Sequence, residues 1–95
     1  MSKDFALRGL PEGVHLGTLS TRVFEILAEH TSFPWPIMQA QCRREGVDPA
    51  AITPEGLGRV VDHLASAVAR FTSPQNGVKV ADSLRPLARS AARTG

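Results

Sequence analysis

Ninety-five residues, 42% of them hydrophobic and 21% charged, make one globular domain, too short for two independent cores and too apolar for a wholly disordered chain. Eleven Lys and Arg against nine Asp and Glu leave a formal charge of +2, mildly basic and no signature of a nucleic-acid binder by itself. The single cysteine excludes an internal disulfide framework, and no run approaches the ~18 apolar residues of a membrane span. With no signal-like apolar block in MSKDFALRGL, the expectation is a cytoplasmic protein with no membrane contact. Abundant Ala, Gly, Arg and Pro hint at a GC-rich bacterial or phage source.

Residues 1–17 carry Phe5, Leu7, Leu10, Val14 and Leu16 around a Pro11-Glu12-Gly13 turn signal. That pattern suits either a short hairpin or an extended arm laid across the rest, and both need packing support. From Thr18 to about His30 the spacing of Leu19, Val23, Ile26 and Leu27 predicts a first helix, with Thr18 or Ser20 as its cap. Thr31-Ser32-Phe33-Pro34-Trp35-Pro36 reads as a stiff connector entering a second helix, because two prolines fix two φ angles and withhold two donors, which suits a helix entrance. A second helix is expected from about Pro36 to Glu45, with Ile37, Met38, Ala40 and Cys42 available to pack. Arg43 and Arg44 suit its C-terminal end, and Gly46 supplies the stop.

The most strongly patterned stretch is Thr53–Phe71. Leu57, Val60, Val61, Leu64, Val68 and Phe71 fall on one helical face, Thr53 can cap the start, and Pro54 fits the first turn. Ser73-Pro74-Gln75-Asn76-Gly77 then reads as a turn. A last helical segment carries Val80, Leu84, Leu87 and Ala91, and Pro86 is expected to kink or split it near Arg85, at roughly 3 kcal/mol if forced into a regular interior. The sum is an all-α fold: a compact four-helix domain over residues 18–95, preceded by an N-terminal arm or hairpin over residues 1–17.

Chemical tools are few. His15, His30 and His63 lie in three different segments, and neither H-x-x-x-H nor C-x-x-C occurs, so no metal site, cofactor or catalytic set is expected. A site built from Cys42, His63 and a carboxylate is conceivable only on weak spacing; Cys42 reads instead as a small apolar residue of the second helix. Asp62 and His63 are adjacent on a helix and therefore diverge by about 100°, which argues against a catalytic dyad. Asp62 could instead bond Ser66 one turn on. Gly56 and Gly58 suit a close helix crossing better than a phosphate site, since no strand precedes them. Asp82-Ser83-Leu84 resembles the phosphopantetheine-bearing triplet of acyl carrier proteins, but those are acidic and carry it mid-domain. Ser83 in this basic chain reads as a cap or surface hydroxyl.

Two functional expectations follow. One is a small protein–protein interaction module (a regulator, adaptor or accessory subunit) that binds a protein partner or itself, with Phe33, Trp35 and Met38 as contact residues. The other is nucleic-acid binding through Arg85, Arg89 and Arg93, spaced by four, which could meet phosphates or an acidic partner.

Overall fold

The computed structural model describes residues 10–94, with side chains through Arg89, and builds them from four helices. These are α1 (Thr18–Ala28), α2 (Pro34–Arg44), α3 (Pro54–Phe71) and α4 (Pro74–Thr94), with no strand among the described residues. Consecutive helices pack on one another, and α4 returns to α1, closing a ring around the core. The fold is all-α.

The helix α3 starts as the sequence requires. Thr53 Oγ1 accepts the Gly56 N–H at 3.0 Å, Pro54 takes the first helical position, and Glu55 sits where the positive end of the helix dipole favours it. Leu57, Val60, Val61, Leu64, Ala67 and Val68 are buried along one face. Phe71 is not: the stripe overruns the core by one residue, and the ring lies 68% exposed where the chain turns at Thr72-Ser73.

That turn is shorter than expected. Ser73 Oγ accepts the Asn76 N–H at 3.3 Å, and Thr72 Oγ1 donates to the Val68 carbonyl at 2.7 Å while accepting from Asn76 Nδ2 at 3.1 Å. Pro74 needs no donor in a first turn, so Gln75, Asn76 and Gly77 belong to α4 rather than to a loop. Gly77 is buried against α3, and a Cβ there would lie 2.7 Å from Ala69 Cβ and 2.8 Å from the Ala65 carbonyl oxygen. The close helix crossing therefore sits at Gly77. Gly56 instead makes room for Val47, and Gly58 faces open space.

α4 runs unbroken through Pro86, so the split that the sequence allows does not occur. Its missing N–H frees the Asp82 carbonyl, but Asp82 and Pro86 are both exposed, so water can satisfy that oxygen. Val80, Ala81 and Leu84 before the proline are buried, and Leu87 and Ala88 after it pack on the same core, so both halves are held. Ser83 stands mid-helix and exposed, a surface hydroxyl rather than a cap.

α2 begins two residues before the expected Pro36. Pro34 and Pro36 both fall in the first turn, where N–H groups lack intrahelical partners, so the stiff connector is itself the helix start. This turns Trp35 inward, 8% exposed, and leaves Phe33 outside at 63%. The other end closes as a Schellman motif: Gly46 adopts φ +70°, its N–H bonds the Arg43 carbonyl at 3.2 Å, and the Val47 N–H bonds the Cys42 carbonyl at 2.8 Å.

Neither Thr18 nor Ser20 caps α1; Gly17 holds that position without a side-chain cap. Ser20 is buried, and its Oγ accepts the Ile52 N–H at 2.8 Å, while the Gly17 N–H bonds the Ala50 carbonyl at 2.9 Å. The start of α1 is thus tied to the approach of α3. Leu10–Gly17 forms an arm with a turn at Glu12-Gly13 and packs Leu10, Val14 and Leu16 on the core. The other half of the expected hairpin, with Phe5 and Leu7, lies outside the described residues. No helix among those described is long and apolar enough to cross a membrane.

Candidate functional site

Glu45, just past the end of α2, meets His63 near the middle of α3, with Oε2 3.2 Å from Nε2. Phe33 lies twelve residues back along α2, about 18 Å at 1.5 Å per residue. Since the space between the two helices is lined on α3 by residues from His63 to Phe71, α2 runs antiparallel to the second half of α3. The two helices frame an open groove of about 610 Å³.

Short side chains create it. Ala40 on α2 and Ser66 and Ala67 on α3 leave the volume that longer ones would fill, over a floor that includes buried Ile37. Phe33, Pro36 and Phe71 supply apolar walls, while Gln41, Arg44, His63 and Arg70 stand on the rim. Among the described residues no acidic side chain lines the groove. Glu45 is beside it and already engaged by His63, whereas Arg44 and Arg70 are exposed and have no carboxylate within 4.0 Å among the described residues.

The expected contact residues divide. Phe33 lines the groove, but Trp35 and Met38 are core residues, Met38 with no exposed surface, so neither is available to a partner. Helical geometry explains the division: with the helix starting at Pro34, Trp35 and Met38 are three apart on the inward face. Phe71, Arg44 and Arg70 also line the groove, and the sequence marks none of them as a contact residue. Phe71 completes the period of the α3 stripe, and only its place on the last turn distinguishes it from core residues.

The arginine row is also divided. Arg85 Nη2 donates to Asp62 Oδ1 at 2.8 Å across α3 and α4, Arg89 is exposed, and the Arg93 side chain lies outside the described residues. Asp62 therefore serves a helix contact rather than Ser66. Its neighbour His63 turns to Glu45 on the other side, which is the divergence that adjacency on a helix demands.

Cys42 is buried; burial first, and then the negative charge of Asp48, push its thiol up to about 11, so it stays protonated and inert. His15 is exposed on the N-terminal arm and His30 follows α1, both away from the Glu45–His63 pair in sequence and element. Among the described residues no three His, Cys, Asp or Glu side chains gather where they could hold a metal ion. The groove offers apolar surface and a cationic rim. Comparison with protein-family models, curated proteins and solved structures finds no match to this chain.

Proposed function

We propose that the chain is a small helical interaction module, a regulator, adaptor or accessory subunit, that works by seating a protein segment in the groove between α2 and α3. One observation carries this: two of the three large apolar side chains that the described fold leaves exposed, Phe33 and Phe71, line the same apolar groove. Scattered exposed hydrophobics are ordinary, but exposed aromatics gathered on one concavity mark a docking face. Filling the groove would remove both rings from water, at about 25 cal/mol for each Å² of apolar surface covered.

The test compares the wild-type chain with a Phe33→Ser/Phe71→Ser variant, recovered by affinity from the native host and sized in solution. The wild-type chain is expected to carry a stoichiometric partner or a second copy, and the variant, with unchanged helicity, to lose it. Equal association by both chains, or none by the wild type at micromolar concentration, would overturn the proposal. Nucleic-acid binding draws less support, because Asp62 neutralises Arg85, the first residue of the row.

A further inference from the structure

We infer that the occupant of the α2/α3 groove is an amphipathic helix of another protein whose apolar stripe is bordered by Asp and Glu, an inference that rests on the groove being the docking face. Backbone chemistry selects a helix. Extended peptides gain affinity by adding main-chain hydrogen bonds to an exposed strand edge, and both walls here are helices, which offer no such edge. A helix brings its backbone bonds with it and needs only apolar packing.

The dimensions agree. The α3 wall from His63 to Phe71 is nine residues, eight rises or about 12 Å, and a helix anchored at i, i+3 or i+4, and i+7 presents side chains over about 10.5 Å. Ala40, Ser66 and Ala67 keep the floor shallow enough for a third helix to approach α2 and α3 at ordinary packing distance.

The charge selects acidic flanks. Arg44 lies toward the His63 end of the groove and Arg70 toward the Phe71 end, so a seated helix has a guanidinium at each end and no carboxylate in the lining to answer it. Asp or Glu beside the partner's apolar stripe would form charge-assisted pairs with both. A second copy docked groove to groove by two-fold symmetry would instead bring Arg44 and Arg70 of each chain into one interface without counter-charge, which is unfavourable.

The experiment is a selection of random 16-residue displayed peptides against the immobilised full chain, followed by fluorescence anisotropy of labelled winners. Two variants are measured beside the wild type: Arg44→Gln/Arg70→Gln, which removes the charge, and Phe33→Ser/Phe71→Ser, which removes the apolar walls. All four positions are exposed, and circular dichroism checks that both variants stay helical. Winners are expected to show the i, i+3 or i+4, i+7 apolar spacing with acidic flanks, and to bind the arginine variant about tenfold or more weakly. Winners that need Phe33 and Phe71 but ignore the arginines, or that carry basic flanks, would overturn the acidic partner while leaving the docking face intact. Proline- or glycine-broken winners would overturn the helix. Winners indifferent to Phe33 and Phe71 would remove the docking face itself, and failure to enrich any groove-dependent peptide would overturn the inference.

Discussion

Replacing Gly77 with alanine sets two effects of opposite sign against each other. Alanine is the better helix former by about 1 kcal/mol, so propensity alone predicts a more stable protein. The new methyl, however, would lie 2.7 Å from Ala69 Cβ and 2.8 Å from the Ala65 carbonyl oxygen. Carbon atoms at optimal contact sit about 3.5–4.0 Å apart, so α3 and α4 must separate by roughly 1 Å. No flexible side-chain end can yield instead, because one obstacle is a Cβ and the other is backbone. Overpacking of this kind costs about 1–3 kcal/mol, and here the upper part of that range applies, for a net loss of about 1–2 kcal/mol. Gly58→Ala is the internal control: it lies exposed in the interior of α3, its Cβ meets nothing within 4 Å, and it should gain up to about 1 kcal/mol. Urea unfolding followed by circular dichroism should therefore move the two midpoints in opposite directions. Equal stabilisation by both substitutions would refute the close approach of α3 and α4.

Ser20→Ala leaves the buried Ile52 N–H without its 2.8 Å acceptor and should cost about 1–3 kcal/mol in the same assay; a neutral result would break the tie between α1 and the approach to α3. Trp35→Ala should lose about 3–5 kcal/mol, enough to threaten folding in a chain of this size, while Phe33→Ala should stay within about 0.5 kcal/mol of wild type; comparable losses at the two positions would contradict the inward turn of Trp35. Cys42 holds its proton more tightly folded, at about 11, than unfolded, at 9.0. Its contribution is therefore complete below pH 9 and is lost as pH rises toward 11, on the order of 2 kcal/mol in all. A Cys42→Ala variant should lack that alkaline slope, and an unchanged slope would refute it.

How far the sequence could be read follows from which signals are local. The α3 stripe, the Thr53 cap and the Gly46 stop were legible because period, cap and left-handed glycine each act within one turn of chain. The prolines were read with mixed success. Pro34 and Pro36 suit a helix entrance and form one, two residues earlier than expected; Pro74 looks like a break but occupies a first turn that needs no donor, and Pro86 looks like a kink or split but lies where water can serve the freed carbonyl. Phe33 and Trp35 carry similar local signals, and only the starting residue of α2 decides which one faces the core. The groove was not legible at all. It depends on Ala40 of one helix and Ser66 and Ala67 of another lining the same space, and the Glu45–His63 pair beside it joins elements distant in sequence.

The central claim is that the groove between α2 and α3 is where this protein meets its partner. Backbone amide chemical-shift mapping of the labelled full chain, with and without the partner chain recovered by co-purification, tests it most directly. Shifts confined to residues 33–44 and 63–71, centred on the Phe33–Phe71 end, are predicted. Shifts centred on Arg85 and Arg89 of α4, with the groove residues unmoved, would contradict it.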